Sequence, residues 1–237
     1  MAGIFQFKQF AVDQTGCAMK INTDGVLLGA LAEGTDPQNI LDIGTGTGVI
    51  ALMLTQRFAS TQIDAVEIDE PASLTATKNF QNSPFADRLG LFHQDFETYF
   101  EEHPEKKYDL IVSNPPFHIN SLESPKVNKT VAKHTDKVFF DVLIKGISQH
   151  LTENGLCWLI LPLQAAELVK ELAASNGLFL QRKITIQSFE ADKPHREILV
   201  LGTNNIKLND SKFVIYQEPK VYSEMYIAAL KNFFTIF

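Results

Sequence analysis

Two short stretches carry residue types that could act together on a substrate. Asn114-Pro115-Pro116-Phe117 follows directly on the apolar run 108–112. An amide, a rigid turn and an aromatic ring at a strand end can hold a planar amino group by its edge and its face. The Asn114 side-chain oxygen and the Pro115 carbonyl can each accept one N–H of that group. Such acceptance favours a more pyramidal nitrogen and stabilises the positive charge that develops on it during attack. The fixed φ of Pro115 and Pro116 keeps the acceptors aimed. Phe117 can stack on a base, a contact worth on the order of 1–3 kcal/mol. His118 could assist proton loss or sit on a polar rim. The plainer account of the same residues is an ordinary Asn-Pro turn.

The second stretch is Asp42-Ile43-Gly44-Thr45-Gly46-Thr47-Gly48. Gly44, Gly46 and Gly48 fall where an open α/β sheet takes its ligands. Their missing side chains let backbone approach a cofactor, and the helix that follows offers free amides. Asp42 could act through an ordered water or accept from an amino group. Glu67 ends the next strand, where a carboxylate can hold both hydroxyls of a ribose. Asp95, after the third strand, could accept from an adenine amino group with Phe96 beside it, or simply cap a turn. Asp69 and Asn79 are weaker candidates. A dinucleotide fold would prefer glycine where Val49 stands.

The two stretches together imply transfer of a methyl group from S-adenosyl-L-methionine to an exocyclic amine, with adenine the leading choice. A sulfonium methyl is already electrophilic, so alignment of the amine carries much of the acceleration.

The elements that must position these residues follow an α/β rhythm. Residues 40–43, 63–66, 89–92, 108–113 and 156–161 read as buried strands. Helices are predicted over 70–82, 138–151 and 164–175, and another carries Ile50, Met53 and Leu54 after the glycine turn. Residues 183–187 and 197–201 are the expected last pair of the sheet. Before this core, Phe5, Phe7 and Val12 imply a short strand or hairpin. A helix through Leu27, Leu28 and Leu31 follows, with Thr23 or Asp24 able to cap it. Ser223 can cap a closing helix through Tyr226, Ala229, Leu230 and Phe233. The expected fold is a Rossmann-like α/β domain: a mostly parallel seven-stranded sheet with an antiparallel last strand and helices on both faces. One domain over 1–237 is expected, with an N-terminal extension at 1–35 and a C-terminal addition at 205–237.

Length and composition agree. The 237 residues can bury a substantial core, and 45% are hydrophobic. Residues 1–10 lack the apolar centre of a signal peptide, and no apolar run reaches membrane-spanning length. A cytoplasmic location is expected, with no membrane association and no obligate protein partner. Cys17 and Cys157 are too few for a disulfide scaffold, and no histidine stands at metal-ligand spacing with them. The net charge of −7 argues against nucleic-acid binding over the whole surface, yet permits a local basic face. Lys126, Lys129, Lys133 and Lys137 follow the amide motif, and Lys183, Lys193, Arg196, Lys207, Lys212 and Lys220 lie nearer the C-terminus. Either group could also be a plain solvated surface.

The chain resembles the class I S-adenosylmethionine-dependent methyltransferases, and within them the bacterial tRNA1(Val) adenine-37 N6-methyltransferase family. The resemblance spans nearly the full length. It rests on Phe7-Lys8-Gln9-Phe10, Ala18-Met19-Lys20, residues 23–29 (Thr-Asp-Gly-Val-Leu-Leu-Gly), the glycine segment, Ser113 to Phe117, Pro194-His195-Arg196 and Tyr222-Ser223-Glu224. It implies that Gly44, Gly46, Gly48 and Glu67 hold the methyl donor, that Asn114 to Phe117 hold the target amine, and that Lys20, Thr23 and Asp24 lie in a segment closing over the donor. Lys133, His195 and Arg196 are implied contacts to tRNA, Arg196 to phosphate or base. Phe117 stands where relatives often carry tyrosine. That keeps an rRNA guanine-N2 methyltransferase in view, although those enzymes commonly carry a second, duplicated domain.

Further alternatives are a protein glutamine-N5 methyltransferase, which could use the same amide-aligning motif, and a noncatalytic RNA-binding module. A dinucleotide oxidoreductase is disfavoured by Val49 and by the lack of a coherent hydride-transfer set.

Overall fold

The computed structural model describes residues 3–116 and 129–237, residues 129–135 by backbone alone. In chain order the elements are β1 (Ile4–Gln6), β2 (Ala11–Asp13), α1 (Thr23–Leu31), β3 (Asn39–Ile43), α2 (Val49–Arg57), β4 (Gln62–Glu67), α3 (Glu70–Gln81), β5 (Leu89–His93), α4 (Phe96–Glu102), β6 (Tyr108–Ser113), α5 (Lys129–His150), β7 (Leu151–Leu161), α6 (Leu163–Ser175), β8 (Phe179–Gln187), β9 (Arg196–Gly202), β10 (Asn209–Val214), β11 (Tyr216–Glu218), β12 (Val221–Tyr222) and α7 (Glu224–Leu230).

Among the described residues eight strands form the central sheet, in the order β10-β8-β9-β7-β6-β3-β4-β5. Strands β3 to β7 are parallel, and β9 runs antiparallel between β7 and β8. The α/β fold and its mainly parallel sheet follow the sequence expectation; the strand count does not. Strand β10 adds to β8 in parallel at the edge. Its sequence Asn-Asp-Ser-Lys-Phe-Val buries only Phe213 and Val214, so it lacks the apolar run that marks a central strand.

Side-chain alternation sorts the core into two apolar clusters, one on each sheet face. Ile40, Leu110, Val112, Ile198 and Val200 join α1, α2 and α7, while Leu41, Ile43, Ile111, Leu199 and Leu201 join α4, α5 and α6. Both faces of the strands are therefore buried, which is why they read as near-continuous apolar runs.

Local departures have local causes. Leu151 continues the helical spacing of Ile147 but begins β7, so the strand starts ahead of the expected residue 156. Helix α4 is too short for its periodicity to show. The cap of α1 is Asn22, whose side chain accepts from the Gly25 amide at 2.9 Å, rather than Thr23 or Asp24. Ser223 does cap α7, accepting from the Tyr226 amide. The β1–β2 hairpin buries Phe7, Phe10 and Val12, and Phe7 bridges to Phe234 after α7, so the two ends of the chain pack together.

Candidate active site

The registers of β3 with β4 and β6 bring Ile43, Val66 and Ser113 side by side at one end of the sheet. The glycine turn leaves β3 there and folds onto β4: the Gly44 and Thr45 amides both donate to the Val66 carbonyl, at 2.8 and 3.1 Å. Gly44, Gly46 and Gly48 hold φ of +70°, +57° and +82°, a region that favours glycine. A Cβ at Gly44 or Gly46 would meet nothing within 4 Å, whereas at Gly48 it would lie 2.4 Å from the Phe80 ring. The first two therefore face open space and the third closes against α3.

That open space is a cleft continuous with solvent. Its floor is the turn from Gly44 to Thr47, and Val49 and Ile50 at the start of α2 form one wall. Asn114 and the strap from Met19 to Asn22 line it as well. The Ser113 hydroxyl donates to the Ile43 carbonyl at 2.8 Å, fixing the end of β6 beside the turn. Among the described residues the buried Asn114 side-chain oxygen has no hydrogen-bond partner. A buried acceptor without a donor is costly, and one on a cleft-lining residue is suited to a ligand N–H.

Two carboxylates stand behind the turn. Glu67 is buried; its Oε2 accepts from the Gly46 amide and its Oε1 from the Asp69 amide, both at 2.8 Å. Asp42 is fully buried. Its Oδ2 accepts from the Thr45 hydroxyl at 2.6 Å. Burial pushes the Asp42 carboxyl up to about 7, against the opposing pull of the Thr45 hydroxyl.

The remaining sequence candidates fall differently. Asp95 caps α4, accepting from the Thr98 amide and hydroxyl, both at 2.8 Å; these bonds hold its carboxyl below the usual range. Asp69 caps α3 by accepting from the Ala72 amide. Asn79 accepts from the Asp13 amide and donates to the Asp13 and Thr47 carbonyls, joining the N-terminal hairpin to the glycine turn. Thr23 opens α1, and Lys20 is exposed and lines the cleft. Asp24 pairs with Arg196 at 2.8 Å, and His195 is exposed just before β9. Pro115 is buried and Pro116 exposed. Phe117 and His118 lie outside the described residues, as does the side chain of Lys133. Two of the C-terminal lysines are paired, Lys183 with Asp210 and Lys212 with Glu190. Among the described residues no group of three or more histidine, cysteine or acidic side chains is arranged to hold a metal. No helix among them is long and apolar enough to cross a membrane.

Met19, Thr45 and Val49 also line the cleft, although nothing in the sequence marks them individually as cleft residues. Their only signal was adjacency to the glycine turn or to the strap.

The family model described as Methyltransferase small domain matches residues 21–172. A tRNA1(Val) (adenine(37)-N6)-methyltransferase from Pedobacter heparinus is 48% identical over 237 residues, covering 100% of both chains. Its counterpart from Flavobacterium psychrophilum is 41% identical over 98% of this chain and 99% of its own. The chain belongs to the tRNA1(Val) (adenine(37)-N6)-methyltransferase family. A solved structure of a predicted O-methyltransferase from Agrobacterium tumefaciens shares the fold, with a TM-score of 0.69 at 16% identity, covering 89% of this chain and 96% of that one.

As a member of this methyltransferase family the chain is an enzyme, and S-adenosyl-L-methionine is its cofactor. The cleft fits that molecule on its own terms. The turn has room where side chains would be, and the segment from Met19 to Asn22 lines the same space; Glu67, at the end of β4, braces the turn but is not itself among the residues lining the cleft.

Proposed function

We propose that this enzyme methylates the exocyclic N6 of adenine-37 in tRNA1(Val). The observation that carries the reading is the buried side-chain oxygen of cleft-lining Asn114, which has no hydrogen-bond partner among the described residues. It is supported by relatives of that name that match over the whole chain.

Bound S-adenosyl-L-methionine supplies a methyl group already activated as an electrophile. The protein's work is to hold the amine. The backbone of Gly44 and Gly46 forms the donor floor, and Glu67 is assigned the donor ribose while it braces the turn. Asp42 supports the turn from beneath, and Lys20, Thr23 and Asp24 belong to the segment over the donor. The Asn114 oxygen and the Pro115 carbonyl accept the two N–H bonds of the target amine, so that charge developing on nitrogen meets fixed acceptors. Pro116 stiffens the segment and Phe117 stacks on the base. His118, Lys133 and His195 are assigned to the RNA side. Asp95, whose carboxylate is committed to Thr98, is a weaker adenine contact than its position in the sequence implied.

The chain from 1 to 237 is read as one methyltransferase domain, with 1–35 and 205–237 as additions that meet through the Phe7–Phe234 bridge. The location is read as cytoplasmic, a reading that a tRNA substrate supports.

The deciding experiment is transfer of labelled methyl from S-adenosyl-L-methionine to unmodified tRNA, rRNA and protein fractions, followed by nucleoside mass spectrometry. N6-methyladenosine confined to adenine-37 of tRNA1(Val) is the expected result. N2-methylguanosine in rRNA, or label in protein, would overturn the substrate assignment.

A further inference from the structure

The strap from Met19 to Asn22, which lines the cleft, is tied down at both ends by polar contacts. On its N-terminal side the Thr75 hydroxyl donates to the Thr15 carbonyl at 2.7 Å, and the Gln14 side chain accepts from the Ile21 amide at 2.8 Å. On its C-terminal side Asn22 caps α1, and Asp24, in the first turn of that helix, receives the Arg196 Nε at 2.8 Å. These two residues are 172 positions apart in the chain. Both side chains are largely sheltered, with 14% of Asp24 and 27% of Arg196 exposed.

Arg196 is a rigid anchor. It opens β9, which pairs on both sides, and its own register partner is Ile186. One terminal nitrogen also donates to the His195 carbonyl at 2.9 Å. Asp24 favours the positive end of α1, so the carboxylate is well placed before Arg196 reaches it. The body of α1 does not depend on the pair, because Val26, Leu27 and Leu28 are buried against the core. What the pair fixes is the first turn of α1, and with it the strap residues that line the cleft.

From this geometry we infer that Asp24 and Arg196 are a positioning pair that sets the strap over the methyl donor, and that Arg196 serves donor binding rather than RNA binding. The inference rests on the donor reading of the cleft, not on which RNA is methylated. Breaking the pair frees the strap to sample positions that contact the donor poorly, so affinity falls by the fraction of time the strap is misplaced.

The test is calorimetric binding of S-adenosylhomocysteine to Asp24→Ala, Arg196→Ala and the double variant, with melting curves and the KM for unmodified tRNA measured alongside. Each single substitution is expected to raise the dissociation constant on the order of fivefold to tenfold. The double variant should be no worse than the weaker-binding single one, because the two residues act as one unit. The KM for tRNA should not move. Arg196→Ala that raises the KM for tRNA while leaving S-adenosylhomocysteine binding intact would make Arg196 an RNA contact and overturn the inference. Additive losses in the double variant would overturn it too. Wild-type affinity in folded Asp24→Ala refutes the pair; should the alanine variants fold poorly, Asp24→Asn keeps an acceptor of the same shape and should give an intermediate affinity, and wild-type affinity in it refutes the pair instead. Because the calorimetry needs no RNA, a wrong RNA substrate leaves this result readable.

Discussion

Gly46 donates its amide to Glu67 at 2.8 Å, so the acid at the end of β4 and the turn after β3 are one unit. The second oxygen of Glu67 takes the Asp69 amide. A carboxylate proposed to hold the donor ribose thus also shapes the floor on which the donor lies.

Glu67→Ala should therefore affect both donor affinity and the fold around the turn. Hydrogen bonds to a charged group contribute about 1.5–3 kcal/mol each. Losing the donor contact should raise the dissociation constant for S-adenosylhomocysteine by roughly tenfold or more, with a lower melting temperature. Glu67→Gln keeps an acceptor for Gly46 and should melt closer to wild type while still binding the donor more weakly. Unchanged affinity in both variants would remove Glu67 from the ribose role.

The sequence made the sheet legible because its strands are buried on both faces and read as apolar blocks. It made the turn legible because three glycines follow a strand and each takes positive φ. Where the reading stopped, the reasons are physical. Edge strand β10 is mostly polar. The role of Asp95 depended on α4, a helix with only Tyr99 and Phe100 buried. The bond from Arg196 to Asp24 joins segments at opposite ends of the chain, and no local pattern encodes such a contact. The triple bond set of Asn79 was hidden for the same reason.

Asn114 is the sharpest test of the transfer site. Asn114→Ala removes the buried acceptor and should lower kcat on the order of 100-fold to 1000-fold. Binding of S-adenosylhomocysteine should stay within about twofold, since the residue is assigned to the amine and not to the donor floor. Single-turnover kinetics with saturating donor separate the two. A variant that keeps near wild-type turnover would show that the amine is held elsewhere.

Asp42 should give the fold a distinct pH dependence. Its carboxyl titrates at about 7 when folded against a reference of 3.8, so between those values the folded chain binds the extra proton. For a raised acid the contribution to stability is full below the unfolded value and falls as pH rises through the folded one. The loss across that window is at most about 4 kcal/mol. Asp42→Asn cannot ionise and should lack it. Urea unfolding of both proteins at roughly pH 4 and roughly pH 8 should show the wild type losing stability relative to Asp42→Asn. Parallel pH curves for the two proteins would mean that Asp42 stays charged in its buried place.

Gly46 and Gly48 offer a matched pair, because both need positive φ but only one has a neighbour in the way. An L-residue in that backbone region costs about 1–2 kcal/mol, and each alanine variant should show it. At Gly48 the new Cβ would also lie 2.4 Å from the Phe80 ring, so α2 or α3 must shift; overpacking of that kind adds about 1–3 kcal/mol. At Gly46 the new methyl enters open cleft, where the donor is proposed to lie. Gly48→Ala should therefore melt several degrees below Gly46→Ala. Gly46→Ala should lose more donor affinity than its small change in melting temperature would imply. Thermal melts and S-adenosylhomocysteine calorimetry on the two proteins measure both effects. A Gly46→Ala protein that binds the donor as the wild type does would place the donor away from the turn.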